Sequence, residues 1–142
     1  MIASKLYNFL EGYFPNNPGL MNFLKPGAMW EYIIKSPNLD GEQSQTVLTF
    51  HLLKQSDDSL EMVEGPAPAK PDLILYFTEK AILNIITGSP PAEQYYDLYR
   101  KIMTHPTEDM DIDYKINKSR LKLWRKGYRL WSKIYKFSHI RR

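Results

Sequence analysis

Apolar positions recur along this chain with two different periods, and the places where the period changes divide it into elements. Ile2, Leu6, Phe9, Leu10 and Tyr13 are spaced by three or four, which predicts an N-terminal helix within a helical segment 1–26. "PNNPG" at 15–19 stops that helix, and "LMNFL" adds a short turn before Pro26 and Gly27. Alternation then takes over. Trp30, Tyr32 and Ile34 fall on one face of "MWEYIIKS". Leu48, Phe50 and Leu52 fall on one face of "TVLTFHLLK", with Thr49 and His51 opposite, and Leu60 and Met62 alternate with Glu61. The turn signals "PNLDG" and "SDDS" separate these three strands, which predicts antiparallel neighbours. A Pro-rich link, "PAPAKP", leads to "DLILYF", a strand apolar on both faces and therefore central.

The helical period returns after that strand. Thr78 is placed to cap "EKAILNIIT", Glu79 lies in its first turn, and Gly88 occupies the left-handed position that ends a helix. Ser89 and Pro90 restart a helix whose stripe is Tyr95, Leu98, Tyr99, Ile102 and Met103. "MDIDYKIN" alternates strictly, with Met110, Ile112, Tyr114 and Ile116 against Asp111, Asp113, Lys115 and Asn117. From Ser119 to Phe137 two apolar rows at spacings of three and four predict one wide-faced amphipathic helix. Gly127 sits in its middle at a cost of about 1 kcal/mol against Ala, which points to close packing on a neighbour. The order helix, three strands, strand, two helices, strand, helix predicts one α+β domain over residues 1–142. Its sheet has about five mostly antiparallel strands, covered on one face by helices.

Composition narrows the chemistry. The 142 residues suit a single domain with one core, and 43% hydrophobic content excludes disorder. There is no cysteine, so disulfides, thiol catalysis and cysteine-based zinc sites are excluded. No apolar run reaches a membrane span, and "MIASKLYNFLEGYF" lacks a signal-peptide core, so a soluble cytoplasmic protein is expected. His51, His105 and His139 have no metal-type spacing. Asp109, Asp111 and Asp113 suit a solvated sheet face or pairing with Lys and Arg better than a cation site. No nucleophile elbow, phosphate loop or dinucleotide fingerprint is present, so no enzymatic activity, no cofactor and no metal are expected.

Charge is unevenly spread. Residues 119–142 carry nine Lys or Arg and no acid, so the remaining 118 residues hold ten basic and sixteen acidic side chains. An acidic body joined to a basic, aromatic end has three candidate explanations: compensation within the protein, docking on an anionic membrane, or nucleic-acid binding. They are ranked in that order, and nucleic acid is not the expected partner. Trp124 and Trp131, seven residues apart, are expected to face inward. Lys122, Arg125, Lys126, Arg129 and Lys133 are expected to face solvent as a membrane-docking rim, with Lys136 beside them.

The stretch "PDLILYFTEKAILNIITG" resembles the signature of the sterol carrier protein type-2 family: an acid, an alternating strand, Ser or Thr opening a helix, two or three Leu or Ile, and a closing Gly. Asp72, Leu73, Leu75, Phe77, Thr78, Leu83 and Gly88 carry it, and the resemblance extends over roughly residues 30–137. Where that family has a glycine-rich approach to its last helix, this chain has Asn117 and Ser119. The resemblance implies a twisted five-stranded sheet, helices over it, and an apolar tunnel between them that holds a fatty acyl chain, isoprenoid or sterol without catalysing a reaction. The tunnel would be lined by Trp30, Tyr32, Phe50, Leu52, Leu73, Leu75, Phe77, Leu83, Ile86, Ile102, Ile112, Tyr114, Trp124 and Trp131. The partner would be an apolar lipid, with transient contact to anionic membrane, and the protein a monomer or weak dimer. The alternatives are a nucleic-acid-binding module and an accessory or dimerisation domain.

Overall fold

The computed structural model describes residues 2–37 and 44–137. The turn signal beyond Pro37 and the tail with His139 lie outside these residues. Five strands form one sheet: β1 (Met29–Lys35), β2 (Thr46–Ser56), β3 (Ser59–Glu64), β4 (Leu73–Thr78) and β5 (Ile112–Ile116). Their spatial order is β3-β2-β1-β4-β5. β1–β2, β2–β3 and β4–β5 pair antiparallel, and β1–β4 pair parallel. The fold is α+β with a mostly antiparallel sheet.

Five helices accompany the sheet: α1 (Ala3–Glu11), α2 (Glu79–Ile86), α3 (Ala92–Thr104), α4 (Arg120–Arg125) and α5 (Tyr128–Ile134). Two short 3-10 turns, Phe14–Asn16 and Pro18–Met21, follow α1. Thr78 caps α2 by accepting from the Ala81 N–H, and Ser119 caps α4 by accepting from Lys122. The left-handed residue between α2 and α3 is Ser89 (φ 48°), not Gly88. The Ser89 N–H closes on the Ile86 carbonyl, and α3 starts only at Ala92.

Alternation decides which face each strand buries. Trp30, Tyr32 and Ile34, then Leu48, Phe50 and Leu52, then Leu73, Leu75 and Phe77 are all buried on the inner face. The register pairs Leu75 with Tyr114 and Phe77 with Ile112, so these two β5 residues share that face. Ile112 is buried, whereas Tyr114 is half-buried on the edge strand. Lys54 is in phase with the same row and is buried. Its Nζ donates to the carbonyls of Met21 (2.9 Å) and Leu24 (2.6 Å), which satisfies the ammonium without an acid. Burial lowers its pKa below the usual lysine value.

The second face of the sheet is crossed by the Pro-rich link. β3 is at one edge and β4 lies beyond β2 and β1, so the chain must traverse the sheet between them. Glu31 accepts from the Ala67 N–H (2.8 Å), and His51 Nδ1 lies 3.0 Å from the Gly65 carbonyl. His51, on the face opposite Phe50 as expected, is buried beneath this crossing segment. The Asp109 carboxylate is taken up by Lys80 (2.8 Å). Among the described residues no three potential ligands gather as a metal site.

The expected single helix over 119–137 is broken. α4 ends at Arg125, Gly127 takes φ 99°, and α5 begins a new direction. A Cβ built on Gly127 would lie 2.0 Å from the Phe23 carbonyl oxygen, and the Lys126 carbonyl accepts from Lys25 N–H (2.8 Å). The glycine is therefore a left-handed corner pressed against the 23–25 segment. It is not a helix-interior residue.

Candidate functional site

Between the sheet, α3 and α5 lies a small apolar space lined by Trp30, Tyr32, Leu73, Leu75, Tyr95, Tyr96, Tyr99, Trp131 and Phe137. Water centres fit within only about 20 Å³ of it, room for about one water. Aromatic rings fill the volume in which a ligand-sized tunnel was expected. Tyr32 stacks on Phe50 (ring centroids 4.7 Å apart) and on Phe77 (5.7 Å). Phe137 stacks on Trp131 at 5.0 Å and meets Tyr96 and Tyr99 edge-on, so its ring forms part of the wall of the space. The Phe137 N–H is held by the Ser132 carbonyl (2.7 Å), and the Arg100 guanidinium lies over its ring.

Most polar atoms around this space are satisfied. Tyr96 and Trp131 both donate to the Leu20 carbonyl (2.6 and 3.0 Å). The Tyr32 hydroxyl is an exception: it is buried and makes no well-formed hydrogen bond. Its polar neighbour is the Tyr95 phenol, which acts on it as a weak, imperfect hydrogen-bond partner. Burial pushes the phenols of Tyr32, Tyr95, Tyr96 and Tyr99 well above their ordinary pKa, so all four are neutral at any physiological pH.

One edge of the space is anchored by a buried carboxylate. Asp72 is fully buried. Its Oδ2 accepts from the Met29 N–H (3.1 Å) and the Tyr128 hydroxyl (2.8 Å), and its Oδ1 accepts from the ammoniums of Lys126 (2.8 Å) and Lys118 (2.9 Å). Tyr128 in turn accepts from the Trp30 indole N–H (2.8 Å). Burial alone would raise the Asp72 pKa. The hydrogen bonds from Lys126, Lys118, Tyr128 and the Met29 amide outweigh it and hold the carboxyl below the usual range. Trp30, expected as a purely apolar lining residue, is thus also the far end of a polar chain.

The other expected lining residues divide into groups. Tyr32, Leu73, Leu75 and Trp131 line the space with Trp30. Phe50, Leu52, Phe77, Ile86, Ile102 and Ile112 are buried core around it. Leu83 is only half-buried and borders an outer groove with Lys80, Asn84 and Asp109. Trp124 was expected to face inward but does not join the core. The break at Gly127 turns α4 relative to α5, and the Trp124 indole is half-buried beneath the guanidiniums of Arg129 (4.9 Å) and Arg120 (5.8 Å), with its N–H buried and without a hydrogen bond. Lys126, expected in solvent, is drawn onto Asp72, with its side chain 28% exposed. Lys122, Arg125, Arg129 and Lys133 are exposed as expected.

Sequence reasoning missed Tyr95, Tyr96, Tyr99 and Phe137 as lining residues. Tyr95 and Tyr99 stood in the apolar stripe of α3 and Phe137 in an apolar row of the last segment, so all three were readable as inward, whereas Tyr96 carried no separate signal. The ionic role of Asp72 was also missed, although an acid following Pro71 at the head of an apolar strand is a visible anomaly. Set against known proteins, the chain matches no family model and no curated protein. No helix among the described residues is long and apolar enough to cross a membrane.

Proposed function

We propose that this protein is a non-catalytic carrier of the sterol carrier protein type-2 kind, which takes an apolar ligand (a fatty acyl chain, an isoprenoid or a sterol) between its sheet, α3 and α5. The observation that carries this reading is the aromatic-lined space at that position, with, on its wall, a buried Tyr32 hydroxyl that lacks a well-formed hydrogen bond, and Phe137 among its lining rings. A buried hydroxyl without a well-formed hydrogen bond is costly, and a ligand bearing one acceptor or donor would satisfy it. The helix-covered five-stranded sheet agrees with the architecture that the resemblance implies. About 20 Å³ does not hold an acyl chain. Uptake therefore requires the lining rings, Phe137 among them, to move apart, after which each buried CH₂ contributes about 0.8 kcal/mol.

The test is lipid extraction of gently purified protein followed by mass spectrometry, with saturable binding of a fluorescent fatty acid in vesicle-free buffer. Phe137→Ala should strengthen uptake several-fold by removing one of the lining rings. Leu75→Phe, which takes up the small remaining space, should weaken it, with the melting curve showing that the domain stays folded. An empty extract together with unsaturable uptake would sink the proposal.

A further inference from the structure

The outer surface of α4 and α5 combines cations with exposed apolar side chains. Leu121 is 57% exposed, Leu130 48% and Ile134 47%, while most of the chain's large apolar residues are buried. On α5, Leu130 and Ile134 form one row four residues apart, beside the row Arg129–Lys133. On α4, Leu121 and Arg125 form the equivalent row, with Arg120 and Lys122 beside it, all exposed. The Arg129 guanidinium over the Trp124 ring joins the two helices into one surface. No acid occurs from Ser119 to Phe137. Of the acids nearby, Asp72 is buried behind Lys118 and Lys126. Glu93 and Asp97 flank only the Ile134–Lys136 end, where Asp97 is paired with Arg100.

We infer that this surface docks on an anionic lipid bilayer, with Leu121, Leu130 and Ile134 entering the headgroup–acyl boundary and Lys122, Arg125, Arg129 and Lys133 meeting the anionic headgroups. Interfacial helices use this combination, apolar side chains for depth and a basic face for attraction. A nucleic-acid surface of the same charge would present free aromatic faces for base stacking. Here Trp124 already lies beneath two guanidiniums and aliphatic side chains protrude instead. The break at Gly127 places the aromatic half of the segment (Tyr128, Trp131, Tyr135) in the core and leaves Leu130 and Ile134 outside.

The experiment is co-sedimentation of the ligand-free protein with phosphatidylserine–phosphatidylcholine vesicles and with phosphatidylcholine vesicles. Binding is expected to the first only and should weaken as salt rises. The triple variant Lys122→Gln/Arg125→Gln/Lys133→Gln should bind about a hundredfold more weakly, since each basic residue near such a surface contributes about fivefold. Leu130→Ser/Ile134→Ser should lose about tenfold with the salt dependence retained. All five residues are exposed, and an unchanged melting curve will show that the variants fold. Undiminished binding of the triple variant, equal binding to phosphatidylcholine alone, or displacement from vesicles by a single-stranded oligonucleotide would each overturn the inference. The carrier reading stands apart from this result, because fatty-acid uptake is measured without vesicles and docking without ligand.

Discussion

Asp72 shows how much one side chain organises here. Its two oxygens join the start of β1, the start of α5, the helix break at Lys126 and the approach to α4 at Lys118. Asp72→Ala should cost about 3–5 kcal/mol, the range for leaving buried partners unpaired, measured by urea unfolding. The same geometry fixes a pH dependence. The folded-state pKa is depressed below the ordinary aspartate value of about 3.9, so the stabilisation is fully present above about pH 4. It is lost as pH falls through the folded value. A melting-temperature series should therefore show a steeper acid limb for the parent than for Asp72→Asn, and parallel limbs would refute the assignment. The sequence displayed this residue only as the acid of a signature. Its partners lie 43 to 56 residues away, beyond what local pattern can report.

At the scale of elements, period carried most of the reading. Every strand and the two central helices lie where alternation or helical spacing put them, because each buries one face against the same core. The C-terminal segment misled for a specific reason. Its apolar spacing continues unbroken through Gly127, so two helices meeting at a corner read as one. Side-chain period records which residues are apolar, not whether the backbone between them stays helical. Gly127→Ala discriminates the two arrangements by sign. In a continuous helix it would stabilise by about 1 kcal/mol. At this left-handed corner, with the Phe23 carbonyl in the way, it should destabilise by about 3 kcal/mol or more, read by thermal or urea unfolding. The inward position of Tyr128 and Trp131 was legible from their spacing. The outward displacement of Trp124 and the exposure of Leu130 and Ile134 follow from that corner and were not legible without it.

For the molecule as a whole, pattern gave the fold class but not the volume inside it. Counting inward residues cannot tell a filled core from a tunnel, because the difference lies in a few ångströms of ring placement around Tyr32, Tyr99 and Phe137. The acidic body and basic end were plain in the composition. Their meeting at Asp72, Lys118 and Lys126 was not. The strand order has a kinetic consequence. β1, β2 and β3 are sequence neighbours and pair locally, whereas the parallel register sets Trp30 against Leu73, 43 residues apart. Closing that loop costs entropy before any contact is gained. The meander should consequently assemble early, and β4, β5 and the helices should dock on it afterwards. Leu52→Ala should then mainly slow refolding, while Leu75→Ala should mainly speed unfolding in stopped-flow chevrons. Before β4 arrives, the free side of β1 is an open hydrogen-bonding edge, and it is in this interval that the chain is most exposed to pairing with another copy of itself.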